Sequence, residues 1–180
     1  GERRIIVKSH AMSQLKDVVD HADMIVAGLT RDIAAVPRGP ARALECDKRR
    51  AEVFEGIGQI MRLADATEKG VRETPAGDVS DSEFDSYVGR LQWGFGMLQG
   101  LRRGSELLVK QDTCARPSEV WSPILSMLSS QEQRMMELCD ELSELAKAAE
   151  EAEEGDEPAP KRRRKSDRGH AALLDAEAAA

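Results

Sequence analysis

The chain has 180 residues, 41% hydrophobic and 33% charged, with a formal net charge of −7. That length fits one domain and a tail, and the negative balance argues against a domain that clamps nucleic acid with its whole surface. Aromatic residues make up only 3%, few rings for walling a substrate pocket, whereas Ala, Leu and Glu are abundant and favour long helices.

Residues 1–8 read as a lead-in, in which Arg3-Arg4-Ile5-Ile6-Val7 suits either a helical start or a short strand. A first helical segment is predicted from Ser9 to Val36. Met12, Leu15, Val19, Ala22, Val26, Leu29 and Ile33 recur in steps of three and four, and Val18 and Ile25 widen the stripe. A stripe of that width suits a multi-helix bundle better than a two-stranded seam. Pro37-Arg38-Gly39-Pro40 breaks it.

A second segment is predicted over 41–72, with Val53, Phe54, Ile57, Ile60, Met61, Ala64 and Val71 on one broad face, ending at Thr74-Pro75-Ala76-Gly77. The third opens on Ser80-Asp81-Ser82-Glu83, a capping box that satisfies orphan backbone donors. Its apolar face reads Phe84, Tyr87, Val88, Leu91, Phe95, Leu98, Leu101 and Leu108, and it fades at Gln111-Asp112-Thr113.

The fourth segment keeps the same step through Trp121, Ile124, Leu128, Gln131, Met135, Leu138, Leu142, Leu145 and Ala149. Ser122-Pro123 is read as its N-cap and first helical residue, with Pro117-Ser118 opening a short preceding turn. Gln131 either fixes register within the seam or reaches solvent. The run from Glu150 to Glu157 places acid at a helix C-terminus, which opposes the macrodipole, so fraying is expected there. A disordered acidic–basic tail is expected over residues 155–180. The predicted fold is therefore all-α. It is an elongated four-helix bundle over residues 9–154, or a helical-hairpin or coiled-coil array that pairs with another chain.

Cys46, Cys114 and Cys139 are odd in number and far apart, which argues against a disulfide framework or a zinc site. No apolar run approaches the roughly 20 residues of a membrane span, and no signal peptide is visible. The expectation is a soluble intracellular protein without membrane contact. A start at Gly1 fits a piece of a longer protein.

Signatures of chemistry are missing. Gly94-Phe95-Gly96 with Gly100 lacks the dinucleotide spacing, and there is no phosphate-binding Walker loop. His10, His21 and His170 lack the Glu spacing of di-metal bundles, and Asp17 with His21 reads as a surface pair. No enzyme, cofactor or metal is expected.

Pro160-Lys161-Arg162-Arg163-Arg164-Lys165 carries the sharpest signal. Five consecutive basic side chains after a proline match a nuclear-import signal: long cationic stems enter aromatic-lined acidic pockets of an import adaptor. The same run could also hold phosphate. Ser166 follows it, with Arg163 three positions before, as a candidate phosphosite whose added charge would weaken import. Thr74-Pro75 and Ser122-Pro123 fit proline-directed phosphorylation as well as they fit turn and cap chemistry.

The third segment also carries Gly89, Gly94, Gly96, Gly100 and Gly104, each costing about 1 kcal/mol in a helix interior. Gly96, Gly100 and Gly104 share one face, with Trp93 and Met97 beside it. The track serves either a partner helix docking against Trp93 or tight packing within the chain, including a kink.

The functional expectation is a non-enzymatic helical scaffold or interaction subunit of a nuclear assembly, in the setting of chromatin, transcription or chromosome segregation. Its partners would be other protein subunits on the helical faces and an import adaptor on the tail, with a homodimer as one way to complete the bundle. The competing expectation is a nucleic-acid-associated protein with a dimerising bundle and a phosphate-binding basic tail.

Overall fold

The structure, a computed structural model, describes residues 15–156. Four helices account for nearly all of them: α1 (Leu15–Thr30), α2 (Pro40–Glu73), α3 (Asp81–Gln111) and α4 (Pro117–Asp156). Short 3-10 turns at Ile33–Ala35 and Ala76–Asp78 lie in the first two connections. The described fold is the expected all-α bundle, without a strand among the described residues. The lead-in, residues 9–14 of the first predicted segment, and the tail beyond Asp156 lie outside the described residues.

Connections this short force consecutive helices to run antiparallel. The polar links give the register. Arg50 stacks over Trp121 at 5.6 Å, Arg134 meets Asp65 at 2.5 Å, and Arg72 meets Glu141 at 3.0 Å, so α2 and α4 run parallel. α1 and α3 also run parallel, with Val18 beside Gly96, Ala22 beside Gly100 and Leu29 beside Gly104. α3 is the central element and touches all three others.

The core follows the predicted stripes. Val53, Ile57, Ile60 and Ala64 from α2 meet Leu91, Leu98, Leu101 and Leu108 from α3 and Trp121, Ile124, Leu128, Met135 and Leu142 from α4. Each large apolar side chain buried here contributes about 1.5–3 kcal/mol relative to exposure. Phe54 and Met61, predicted on the apolar face of α2, are instead 46% and 40% exposed. The core draws on a narrower arc of α2 than its apolar stripe spans.

Three boundaries differ from the sequence reading. The first segment does not run to Val36: α1 stops at Thr30 and Asp32 enters the left-handed region at φ 59°. The connection that follows is tied by Arg42, a buried guanidinium. Its Nε and Nη2 donate to the Val36 carbonyl at 3.0 and 2.6 Å, Nη2 reaches the Ala34 carbonyl at 3.3 Å, and Nη1 donates to Gln111 Oε1 at 3.3 Å. Arg42 thereby fixes the 3-10 turn, with Ile33 buried as its anchor. The fourth helix begins at Pro117, and Pro123 sits inside it rather than opening it. Pro123, in the second turn, takes one hydrogen bond to the Glu119 carbonyl out of the ladder. At the other end α4 continues through the acidic run to Asp156, where fraying was expected. The predicted capping box is in place: Ser80 Oγ accepts from the Glu83 amide at 3.2 Å, and the Ser80 amide donates to Glu83 at 3.0 Å.

Candidate functional site: the seam between the second and fourth helices

On α2, Arg50, Phe54, Met61, Asp65, Glu68 and Arg72 follow one another in steps of three, four or seven, which places them on one flank of the helix. On α4, Val120, Met127, Arg134 and Glu141 recur every seven residues and share one flank. The ion pairs of Arg134 with Asp65 and Glu68, and of Arg72 with Glu141, show that these two flanks face each other. The seam is thus divided along its length. Its lower half is ionic, and the hydrogen bond from Arg134 holds the Glu68 carboxyl below its ordinary range despite the opposing effect of desolvation. Its upper half is apolar and open: Phe54 and Met61 are joined there by Val120 and Met127, at 39% and 37% exposure.

The α4 side of the upper half also lacks charge. Between Glu119 and Glu132 no residue of α4 is ionisable, although α4 as a whole carries eleven acidic side chains and two basic ones. On α2, by contrast, exposed Glu55 and Arg62 flank Phe54, Gly58 and Met61. Depletion of charge around exposed large apolar side chains is the compositional mark of an interface core. Sequence reasoning placed Phe54 and Met61 in the core and did not single out Val120 or Met127. The uncharged run of residues 120–131 was the available signal.

A buried polar knot closes the top of the seam. Asp112, at the end of α3, accepts from Trp121 Nε1 at 2.8 Å, from the Cys114 amide at 3.0 Å and from Arg50. Burial works against ionisation of this carboxyl, but the Cys114 and Trp121 hydrogen bonds and the Arg50 charge outweigh it and hold its pKa below the ordinary value. Burial, reinforced by the Asp112 charge, pushes the Cys46 thiol up, the opposite of what a reactive thiolate needs. The knot therefore fixes geometry: one carboxylate ties α2, α3 and the start of α4 together.

The glycine track has an occupant within the chain. A Cβ on Gly100 would lie 2.8 Å from the Ala22 carbonyl oxygen and 2.7 Å from Ile25 Cβ. Those on Gly96 and Gly104 would lie 3.1 Å from His21 Cδ2 and 2.6 Å from Leu29 Cδ1. The helix that approaches is α1. Trp93 remains 41% exposed, its ring 5.8 Å from that of His21, and Asp17 lines the same shallow groove. Met97 is buried and points toward Gly56 of α2. The structure thus brings Trp93 together with His21 and Asp17, and leaves Gly96, Gly100 and Gly104 beneath α1. Lys161, Arg162, Arg163, Arg164, Lys165 and Ser166, with His10 and His170, lie outside the described residues.

Among the described residues, no three His, Cys, Asp or Glu side chains gather as a metal site requires, and no helix is long and apolar enough to cross a membrane. No family model, curated protein or solved structure matches the chain.

Proposed function

We propose that this chain is a non-catalytic helical interaction subunit of a nuclear assembly, with the α2–α4 seam as its protein-binding surface and the Lys161–Lys165 run as its import address. The observation that carries the binding half is the seam's open upper half, where four large apolar side chains stand exposed beside a length of α4, residues 120–131, that carries no charge. A surface of that kind is stabilised by covering it with protein, at about 25 cal/mol for each Å² of apolar area removed from water. The observation behind the nuclear half is the five-residue basic run itself.

The test is purification of the tagged chain from nuclear extract beside a Phe54→Glu, Met127→Glu variant, with a Lys161–Lys165→Ala variant followed by fractionation. The reading expects salt-resistant recovery of defined proteins by the native seam only, and loss of the nuclear fraction when the basic run is neutralised. Recovery that depends on nucleic acid and on the basic run, and is indifferent to the seam, would replace it with a phosphate-binding tail on a helical body.

A further inference from the structure

We propose that Ser82, in the first turn of α3, is a phosphorylation site for an acid-directed serine kinase, with ATP as the phosphoryl donor. The site lies at the ionic end of the bundle, away from the apolar half of the α2–α4 seam, and stands whether or not that seam binds protein.

Charge is what selects the enzyme. Between Arg72 and Arg90 the chain has no basic residue, while Glu73, Asp78, Asp81, Glu83 and Asp85 supply five carboxylates. Ser82 has Asp81 directly before it, Glu83 directly after it and Asp85 three positions on. A kinase whose substrate cleft is lined with lysine and arginine meets this string as complementary charge, and a kinase with an acidic cleft is turned away by it. Ser166 is the reverse case, with five bases directly before it, so the two serines call for opposite enzymes.

Exposure and hydrogen bonding single out Ser82 among its neighbours. Residues 80–83 and Asp85 are exposed. The Ser80 hydroxyl is engaged in the capping box, donating to the Glu83 carboxylate at 3.2 Å and accepting from the Glu83 amide at 3.2 Å. The Thr74 hydroxyl donates to the Gly70 carbonyl at 2.7 Å. Among the described residues the Ser82 hydroxyl has no such partner. The chain leading to it is already extended, with ψ 117° at Val79 and 157° at Ser80, and the first turn of a helix holds its amides with the fewest internal bonds.

The product suits the fold. The phosphate stands at the second residue of α3, where backbone N–H groups lack helical partners and the dipole favours negative charge. Arg90 lines the same shallow groove as Ser82, its guanidinium 5.9 Å from the Tyr87 ring centroid and in no ion pair among the described residues. In the transfer the Ser82 oxygen bonds to the γ-phosphorus of ATP as the bond from that phosphorus to the ADP oxygen breaks, and the hydroxyl proton passes to a carboxylate of the kinase.

The test incubates the full chain with ATP, Mg2+ and a purified acid-directed casein kinase, in parallel with a basophilic kinase, and sequences the tryptic peptide 73–90 by mass spectrometry. The expected result is phosphate on Ser82 with the first enzyme and an unmodified peptide with the second. Ser82→Ala leaves the capping box in place and should abolish incorporation with the helical circular dichroism unchanged. Asp85→Asn removes the acid three positions beyond Ser82 but not the one beyond Ser80, which is Glu83, and should slow modification severalfold. Phosphate confined to Ser80 or Ser86, or a rate indifferent to Asp85→Asn, overturns the assignment. A native chain that stays unmodified while the free 73–90 peptide is phosphorylated overturns it too, because the fold then withholds the serine.

Discussion

The carboxylate of Asp112 accepts the indole hydrogen of Trp121 at 2.8 Å across the loop that joins α3 to α4, while the guanidinium of Arg50 in α2 both pairs with that carboxylate and stacks on the Trp121 ring. Three helices are fastened by one side chain whose charge is entirely buried. Asp112→Ala strands the indole donor but leaves Arg50 its pair with Asp47 at 2.6 Å, so the loss is that of a buried, charge-assisted acceptor, about 1–3 kcal/mol. Chemical denaturation should show a midpoint shift of that size. Asp112→Asn keeps an acceptor for Trp121 and should cost less.

The same group sets a pH dependence. Its folded pKa lies below the unfolded value, which for aspartate is about 3.9. The stability it contributes is therefore fully present above that value and is lost as pH falls through the folded pKa. Thermal melts of the native chain should drop on acidification below about pH 4, and the drop should shrink in Asp112→Asn. An equal drop in both would assign the acid sensitivity to other carboxylates.

Two glycines in α3 should respond with opposite sign to the same change. At Gly100 a methyl meets the Ala22 backbone, which cannot move without displacing α1. Overpacking of that kind costs about 1–3 kcal/mol, more than the roughly 1 kcal/mol gained in helix propensity. At Gly89 nothing lies within 4 Å of the added carbon, so Gly89→Ala should stabilise by about 0.5–1 kcal/mol. Urea titration of the two variants reads both signs.

Arg42 holds the α1–α2 turn through the Val36, Ala34 and Gln111 oxygens. Lysine keeps the charge but not the planar fork. Arg42→Lys should therefore cost about 2 kcal/mol, in the range for hydrogen bonds to charged groups, and should open the 31–39 connection to protease. Cleavage rates there, compared with the native chain, check the location as well as the size of the effect.

Much of the helical layout was legible because its determinants are local. The Ser80–Glu83 box and the Pro37–Pro40 break act within a few residues of where they are written. Periodicity located Leu91, Leu98 and Leu108 in the core for the same reason. The seam was less legible, because an apolar stripe says which face of a helix is oily and not how much of that face its neighbours cover. Phe54 follows Val53 in sequence and follows the stripe, yet Val53 is buried and Phe54 is 46% exposed. Asp112 and Arg42 were missed because their partners lie across the fold: Arg50 is 62 residues from Asp112, and Gln111 is 69 from Arg42. No window along the chain contains such a pair.

The parallel docking of α1 on the glycine track gives the molecule two tiers of stability. α2, α3 and α4 each lean on two of one another, whereas α1 leans chiefly on α3. Its attachment is a zipper of close backbone contacts, to which the Asp23–Arg103 pair and the Arg49 hydrogen bonds to the Gly28 and Arg31 carbonyls add only exposed links. The amides of α1 should therefore exchange with solvent through a subglobal opening that spares the other three helices, an event that would bare the central face of α3.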